Sequence, residues 1–271
     1  MQDLISDLMF EDNRARWAKA PFVMPGYKYR DLGHIIPNLP ITKNTRFVDH
    51  FGGTGVVSWN VPHCNEKVFN DRRSSVTEFF KCLRDHAEEF LEYVDNFQQN
   101  SRQEWLECRD TWNKEDDPVK RAGKWFYWIC MSNLDCGNSF RRQFHPRLNN
   151  KKQTIRALKT RLRGFLIENL DVFTCIKDFD SHRTVHYMDP PYVDVGLSYR
   201  GVKWTQSDLE RLLDTIAGVE GFVALSHYPS DLIDKQPYWT NCVRWEVKET
   251  VSHFDKAKKE VECLWLKEYE K

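Results

Sequence analysis

The fold of this chain is decided by the stretch Arg46-Phe47-Val48-Asp49-His50-Phe51-Gly52-Gly53-Thr54-Gly55. Its first four residues predict a short strand, and glycines follow directly. Glycine lets the backbone turn tightly and approach a ligand without interference from a Cβ atom. A second short strand, Val68-Phe69, ends at Asn70-Asp71. A glycine turn after one strand and a carboxylate after the next can hold a nucleoside, with the acid on the ribose hydroxyls.

This glycine loop differs from a dinucleotide-binding loop. The third glycine of the G-x-G-x-x-G pattern is missing, and Pro62 leaves little room for the long helix that should follow. A nucleoside without phosphates, such as S-adenosylmethionine, therefore fits the loop better than a dinucleotide. Taken alone, the pattern also fits a purely structural turn.

A stiff corner, Asp189-Pro190-Pro191-Tyr192, follows the β-rich run Thr184–Met188. Two prolines fix φ twice and remove two backbone donors, and the residue before a proline is driven towards an extended conformation. The corner therefore holds a carboxylate, a carbonyl and an aromatic ring in a fixed relation. Two acceptors can orient an NH2 group while the ring stacks on the heterocycle that carries it. An ordinary Pro-Pro turn with a solvent-facing Asp is the competing interpretation.

The rest of the chain alternates predicted strands and helices, which indicates an α/β fold with a mainly parallel sheet. Apolar periodicity predicts one long helix over residues 76–94, one around 122–131, and one from Ile155 to Leu166 that Gly164 interrupts. Thr205 and Asp208 predict a capping box for a helix that ends at Gly218. Further strands are predicted at 222–225, 243–247 and 262–266, and the last two are candidates for an antiparallel pair.

The composition is that of a globular protein with a sizeable core: 41% of 271 residues are hydrophobic, and ten are Trp. The sequence contains no run of about 18 apolar residues, so we predict no membrane span. The acidic N-terminus does not resemble a signal peptide. The eight cysteines contain no C-x-x-C pair, so they predict reduced thiols in a cytoplasmic protein. We expect no metal site.

One segment departs from the zero net charge of the whole chain. Between Ser139 and Arg163 there is no acidic residue, but there are nine basic ones. Such a surplus suits contact with a phosphate backbone, whereas a solvated helix face normally mixes both signs. The stretch therefore predicts nucleic-acid binding, and the candidate contacts are Arg141, Arg142, Arg147, Lys151 and Lys152.

With the glycine loop and the corner both placed, the chain resembles the Dam-like DNA adenine methyltransferases of the α group. Met24-Pro25-Gly26-Tyr27-Lys28 is similar to the family's N-terminal cofactor motif, and the stretch from Arg46 to Gly55 resembles its glycine loop, especially in the T-even phage enzymes. Asn70-Asp71 resembles the ribose-side acid. Ile167–Phe173 resembles the segment whose Asp contacts the cofactor's adenine, and Asp189–Tyr192 matches the catalytic motif.

The resemblance implies transfer of a methyl group from S-adenosylmethionine to the exocyclic N6 amine of adenine. Asp189 and the Pro190 carbonyl would accept the two N–H bonds of the amine, Pro191 would stiffen the corner, and Tyr192 would stack on the base. Positioning and electrostatics would supply most of the acceleration. The target base must leave the duplex to be reached. The implied cofactor-binding residues are Gly26, Lys28, Asp49, Phe51, Gly53, Gly55, Asp71 and Asp171.

The family's motif order implies a Rossmann-like catalytic domain from 1–97 and 165–271, with a mainly helical target-recognition insertion at 98–164. The expected partner is a specific double-stranded DNA sequence, without any membrane, in a bacterial or phage-infected cell. Three alternatives stay open: a catalytically silent DNA-binding relative, a methyltransferase acting on cytosine N4 or RNA adenine, and one acting on protein glutamine. The oligomeric state is open.

Overall fold

The computed structural model describes residues 17–98, 101–133, 137–141, 147–192, 204–248 and 259–269. Its strands are β1 (Arg46–Asp49), β2 (Glu66–Asn70), β3 (Phe165–Glu168), β4 (Thr184–Met188), β5 (Phe222–His227), β6 (Asn241–Lys248) and β7 (Lys259–Lys267). Its helices are α1 (Leu32–Ile35), α2 (Ser74–Asp85), α3 (Ala87–Asp95), α4 (Arg102–Thr111), α5 (Pro118–Cys130), α6 (Arg147–Leu162), α7 (Val172–Phe179), α8 (Gln206–Ala217) and α9 (Asp231–Asp234). None of these described helices has both the length and the apolar character needed to cross a bilayer.

Contacts divide the chain into two compact units. The sheet unit comprises His34–Gly52, Val61–Arg72 and the described residues from Leu170 onwards. Within it, six strands lie in the order β2-β1-β4-β5-β7-β6. The strands β2, β1, β4 and β5 are parallel, while β7 runs antiparallel to both β5 and β6. This confirms the expected α/β fold, with a mainly parallel sheet and an antiparallel closing pair.

The sheet unit is stabilised by strands that are buried on both faces. Every residue of β4 and of β5 is buried, as is usual where helices cover a parallel sheet. On one face, α8 packs its apolar stripe against Val223, Leu225 and Trp265. Full burial of one such leucine contributes about 1.5–3 kcal/mol. The predicted capping box between Thr205 and Asp208 is present, and Gly218 follows the last residue of the helix.

The helical unit comprises the described residues up to Gly33, Gly53–Asn60 and Arg73–Asn169. Its core is aromatic: the rings of Phe79 and Phe126 stack with centroids 5.3 Å apart, and Phe22 meets Trp125 edge to face at 5.2 Å. Asp117 caps α5 by accepting from two backbone N–H groups, with a proline in the next position. The expected insertion, 98–164, lies within this unit.

Two element predictions were wrong. The helix expected over 76–94 is divided into α2 and α3 at His86, whose φ of −135° and ψ of 38° lie outside the helical region. The apolar repeat continues across this break, so the pattern could not show it. Phe165 and Leu166 lie in β3 and not in the preceding helix, which ends at Leu162. Phe165 and Ile167 are buried while Leu166 is exposed, which is the period of a strand.

Candidate active site

In the sheet unit, the predicted site residues collect at the carboxyl edge of the parallel strands. β1 leads to β2 on one side and β4 leads to β5 on the other, so the direction of winding reverses between β1 and β4. Ligands of open α/β sheets bind in the crevice at such a switch point. Asp49 and Phe51 stand at the end of β1, and Asp189 follows β4. The backbone N–H of His50 donates to the Tyr187 carbonyl at 3.0 Å, which holds the two strand ends together.

Asn70 fixes the neighbouring strand end. Its amide nitrogen donates to the carbonyls of His50 at 3.0 Å and Leu170 at 3.2 Å, and its amide oxygen accepts from the Leu170 N–H at 2.8 Å. One buried side chain therefore ties together the segments that carry Phe51, Asp71 and Asp171. The sequence analysis singled out the acid of the Asn70-Asp71 pair. In the structure, Asn70 is the residue that holds these segments together.

The three cofactor-side acids lie in different environments. Asp49 and Asp71 are almost fully buried, with 2% and 4% of their surface exposed. Asp171 caps α7: one carboxylate oxygen accepts from the Phe173 and Thr174 N–H groups at 3.1 Å, and the other accepts from the Thr174 hydroxyl at 2.5 Å. The Thr174 hydroxyl bond, opposed by burial, lowers the pKa of Asp171. Asp171 therefore has a structural role, and its contact with a cofactor stays a prediction.

Phe51, the aromatic residue of the loop, packs against a neighbour that the sequence interpretation did not assign to the site. Its ring meets Trp204 edge to face, with centroids 5.4 Å apart. Trp204 directly precedes the capping residue of α8, so the start of that helix is held beside the end of β1. An aromatic wall of this kind suits a planar ligand.

A buried relay of polar groups lies under the end of β1. The His50 Nε2 and His186 Nδ1 atoms are 2.8 Å apart, and the His186 Nε2 is 3.0 Å from the Asp180 Oδ1. Asp180 also accepts from the backbone N–H groups of Glu220 and Gly221 at 2.9 and 3.0 Å. Burial lowers the pKa of both histidines. We infer that both are neutral, with the His186 Nε2–H donating to Asp180 and the His50 Nε2–H donating to His186.

The Asp-Pro-Pro-Tyr corner leaves β4 as predicted, with Asp189 and Tyr192 half-buried. The Tyr192 hydroxyl lies 3.2 Å from the Asp189 Oδ1 and 3.4 Å from the Ser226 Oγ, and it donates a hydrogen bond to the Glu262 Oε1. Its ring lies against His227 and Tyr228, with centroids 4.5 and 4.6 Å away. Burial and the charges of Asp189 and Glu262 raise the pKa of Tyr192 well above its usual value, so its hydroxyl keeps its proton.

Glu262 and Ser226 were not predicted as site residues. Glu262 is 4% exposed, and its Oε1 accepts from the Ser226 hydroxyl at 2.9 Å. The signal was present in the sequence, because Glu262 stands on the same face of its strand as Leu264 and Leu266. An acid on an apolar face must be paired, since burial of a lone charge is costly. The antiparallel register of β5 and β7 then brings it to the carboxyl edge of the sheet.

The remaining cofactor-side residues belong to the helical unit. Gly26, Gly53 and Gly55 all have positive φ, at 79°, 54° and 72°. A Cβ atom on Gly55 would lie 2.0 Å from the Trp59 ring, whose indole N–H donates to the Thr54 carbonyl. Lys28 is 5% exposed. The loop therefore requires glycine at position 55 by its own geometry.

Asn60 joins this loop to the N-terminal segment of the helical unit. Its amide oxygen accepts from the Ala18 N–H at 2.8 Å, and its amide nitrogen donates to the carbonyls of Ala18 and Val56 at 2.9 and 2.7 Å. Sequence reasoning missed Asn60, since a lone Asn before a proline-containing turn carries no specific signal.

Part of the basic stretch is used inside the helical unit. Lys152 is 8% exposed and pairs with Asp95, Lys159 pairs with Glu88 at 2.7 Å, and Arg161 donates to the Trp59 carbonyl at 2.7 Å. The acids come from α3, so the excess of positive charge along the sequence is partly balanced in space. The Lys152 ammonium group is therefore engaged by an acid of the fold, and its contact with nucleic acid stays a prediction.

The other predicted nucleic-acid contacts are placed as follows. Arg141 and Lys151 are half-buried, and the Arg141 backbone N–H donates to the Met131 carbonyl at 2.9 Å. Arg147 begins α6, and its side chain lies outside the described residues. Arg142 also lies outside the described residues. Whether these four contact nucleic acid stays a prediction.

A cleft of about 700 Å³ opens between α4 and the segment that carries Arg141. Among the described residues, its lining includes Arg102, Arg109, Arg141, Asn133 and Asn138, and Arg109 is paired with the neighbouring Asp110 at 2.7 Å. Trp105, 3% exposed, forms its floor by donating to the Ser132 hydroxyl at 2.9 Å. Trp105, Trp125 and Trp128 are buried in the core of this unit, while Trp112 is only partly buried.

The family model for D12 class N6 adenine-specific DNA methyltransferases matches residues 25–234. This span covers most of the chain and includes both the glycine loop and the Asp-Pro-Pro-Tyr corner, so the chain belongs to that family. A curated relative, the modification methylase StsI of Streptococcus sanguinis, is 26% identical over 207 residues. The match takes 71% of this chain but only 31% of that relative's length.

Solved structures of other methyltransferases superpose on most of the chain. A precorrin-6y C5,15-methyltransferase from Geobacter metallireducens is 10% identical, covers 94% of each chain and has a TM-score of 0.42. The rRNA methyltransferase aviRa from Streptomyces viridochromogenes is 13% identical, covers 90% of this chain and 87% of its own, and has a TM-score of 0.38. At these scores, the family membership rests on the sequence match alone.

Proposed function

We propose that the protein transfers a methyl group from S-adenosylmethionine to the N6 amine of adenine in a specific double-stranded DNA sequence. The observation that carries this proposal is the placement of the Asp-Pro-Pro-Tyr corner beside Asp49 and Phe51, at the switch point of the sheet. Two loops that the sequence separates by more than a hundred residues meet there, as a reaction between two substrates requires. The family membership supplies the target class.

The corner acts on the amine by positioning. Asp189 and the Pro190 carbonyl are acceptors that together can take both N–H bonds of one NH2 group. This favours the pyramidal geometry in which the nitrogen lone pair is released from the ring, so the amine becomes a better nucleophile. The Tyr192 ring supplies an aromatic face, and base–aromatic stacking contributes about 1–3 kcal/mol per base. Extrusion of the base from the duplex costs a few kcal/mol, which stacking of this strength offsets.

The residues at the carboxyl edge fit the proposed cofactor by their chemistry. S-adenosylmethionine supplies an electrophilic methyl group and carries ribose hydroxyls and an ammonium group, which are donors. The buried carboxylates of Asp49 and Asp71 are acceptors, and Phe51 offers an aromatic surface next to them. The family resemblance assigns the same ligand to Asp171 and to residues of the helical unit: Gly26, Lys28, Gly53 and Gly55.

We propose that the helical unit contacts the DNA through the cleft beside α4. The guanidinium groups of Arg102 and Arg141 match phosphate oxygens or guanine edges, and the two asparagine amides match an adenine edge. The guanidinium group of Arg109 is bound on two sides by Asp110, at 2.7 and 3.0 Å. This cleft extends the nucleic-acid contacts predicted from the basic stretch, because Arg102 and Arg109 precede that stretch and were not part of the prediction. Lys151 stays a proposed contact, and Arg142 and Arg147 stay proposed on sequence alone.

The central test is an assay with methyl-labelled S-adenosylmethionine and DNA, followed by digestion to nucleosides. We expect the label in N6-methyladenine. Asp189→Ala should abolish it without changing the thermal unfolding midpoint, and Asp178→Ala, an exposed change on α7, should leave it unchanged. Label in N4-methylcytosine, label only with RNA, or DNA binding without any label would each refute the proposal in a different way.

The DNA surface is tested by the salt dependence of binding. Loss of one phosphate contact reduces the slope of log K against log salt by about 0.9. We expect this reduction for Arg102→Ala and Arg141→Ala, and no reduction for Lys177→Ala, an exposed change on α7. Unchanged slopes in both arginine variants would exclude the cleft as a phosphate contact.

The biological role is proposed on resemblance alone. The streptococcal relative is a modification methylase, which supports a protective role against a restriction enzyme. The likeness of the glycine loop to T-even phage enzymes supports protection of phage DNA. Sequencing of methylated sites in cells with and without the gene separates host, restriction-linked and phage targets.

A further inference from the structure

The Tyr192 hydroxyl has one proton and two carboxylates within reach. The Asp189 Oδ1 lies 3.2 Å away, and the Glu262 Oε1 is also within hydrogen-bond distance. A phenol donates only one hydrogen bond at a time. Glu262 is the more deeply buried carboxylate, at 4% exposed against a half-buried Asp189, so its charge has the greater need of a donor and the hydroxyl donates to Glu262.

This choice matters for the target amine. Asp189 must accept an N–H bond of adenine, and a hydroxyl that donated to its Oδ1 would occupy one of its acceptor positions. Hydrogen bonds to a charged group are the strong ones, so the loss would weaken the grip on the amine. Glu262 removes this competition by accepting the hydrogen bond of the hydroxyl, which keeps its proton.

Glu262 is held in place for this contact. Its Oε1 accepts from the Ser226 hydroxyl at 2.9 Å, and the side chain is 4% exposed. The Tyr192 ring is fixed at its hydroxyl end by this pair and along its body by His227 and Tyr228. Glu262 also follows residue 234, where the match to the family model ends.

We propose that Glu262 is a positioning residue of the active site, which anchors the Tyr192 hydroxyl so that the ring stays in its stacking position and the hydroxyl does not donate to Asp189. The inference rests on the proposed function and assigns a role to a residue outside the family motifs. Glu262 acts through Tyr192 and does not itself contact the base.

The test is Glu262→Gln, which keeps the size of the side chain and one acceptor oxygen but removes the negative charge, so that the charged Asp189 becomes the stronger acceptor for the hydroxyl. The hydroxyl can then donate to Asp189. We expect kcat to fall about 10- to 100-fold, the range for a lost hydrogen bond to a charged group. The KM values for DNA and cofactor should change by less than about twofold, because only the alignment of bound groups is altered. Glu268→Gln, an exposed change just after β7, should behave as wild type.

A double-mutant cycle separates positioning from a general loss of fold. Tyr192→Phe removes the hydroxyl, so Glu262→Gln should cause no further loss of kcat in that background. An equal loss in both backgrounds, or an unchanged kcat in the single variant, overturns the inference. If Glu262→Gln does not fold, Ser226→Ala replaces it, with a smaller fall in kcat expected, because Glu262 then lacks its second donor.

A readout without activity keeps this inference separate from the proposed function. In protein labelled with carbon-13 at the tyrosine Cζ, the Tyr192 resonance is identified by its loss in Tyr192→Phe. It should move in Glu262→Gln and stay in Glu268→Gln. A resonance that does not move refutes the hydrogen bond even if the wild type methylates DNA. Wild-type protein without methylation but with the moving resonance refutes only the proposed function.

Discussion

Asp180→Asn should reduce the stability of the sheet unit in a way that depends on pH. Asp180 ends the buried relay under β1, and its carboxylate accepts from the His186 ring and from two backbone N–H groups. Burial opposes ionisation, but these hydrogen bonds prevail and lower the pKa of Asp180 from 3.8 to about 2. The substitution removes this charged acceptor and leaves one of the two backbone donors without its partner.

The magnitude follows from the pKa. A lowering from 3.8 to about 2 is worth roughly 2 kcal/mol of unfolding free energy, at about 1.36 kcal/mol per unit. Because the folded-state pKa is the lower one, this contribution is complete above the unfolded-state pKa and is lost as the pH falls through 2. We therefore expect a contribution of about 2 kcal/mol at pH 5 that declines to about 1 kcal/mol at pH 3.

The assay is urea denaturation of wild type and Asp180→Asn at pH 7, 5 and 3. The control is Asp178→Asn, since Asp178 is exposed and lies on the same helix. We expect the stability difference for Asp180→Asn to shrink by about 1 kcal/mol between pH 5 and pH 3, and the difference for Asp178→Asn to stay constant. A difference for Asp180→Asn that is the same at pH 5 and pH 3 would refute the assignment of a strongly acidic Asp180.

Three further predictions concern the helical unit. Gly55→Ala should lower the unfolding free energy by about 1–3 kcal/mol, because its φ is positive and the new Cβ would meet Trp59, whereas Gly164→Ala, with nothing within 4 Å, should not; equal Tm values would contradict this. Lys152→Ala should lower the unfolding free energy by about 1–2 kcal/mol without changing the slope of DNA binding against salt. Lys151→Ala should reduce that slope. A slope reduced by Lys152→Ala would show that Lys152 contacts the DNA. Asn60→Ala should speed proteolysis near Ala18, and an unchanged cleavage rate would show that its three hydrogen bonds are dispensable.

The elements of the sheet unit were largely predictable from local patterns. The bounds of β1 and β4 agree with the sequence prediction, and the capping box of α8 is in place, because strand pattern and cap are written within a few neighbouring residues. The break at His86 was not predictable, since the apolar repeat runs through it. The same is true of Phe165, whose spacing also fits the preceding helix and whose strand period covers only four residues.

The basic stretch shows a second limit. The stretch contains no acid in the sequence, but the charge around each basic side chain depends on the residues that lie near it in space. Lys152 and Lys159 find acids more than fifty residues away, on α3. A local charge count therefore overestimates the surface that is free for DNA, and Arg102 and Arg109, which stand among acids in the sequence, lie in the cleft with Arg141.

The active site combines both situations. The Asp-Pro-Pro-Tyr corner could be predicted because the prolines that stiffen it and the groups that act on the amine are consecutive residues. In the sequence, Glu262 stands out only as an acid on an otherwise apolar face of its strand. Its hydrogen-bond partner, Tyr192, is seventy residues away in the sequence. Ser226 pairs with Leu264 in the antiparallel register, so an acid two residues earlier than Leu264 must stand at the carboxyl end of β5, beside the corner. The catalytic loop could thus be predicted from its own residues, while the group that orients it follows from the closing strand of the sheet.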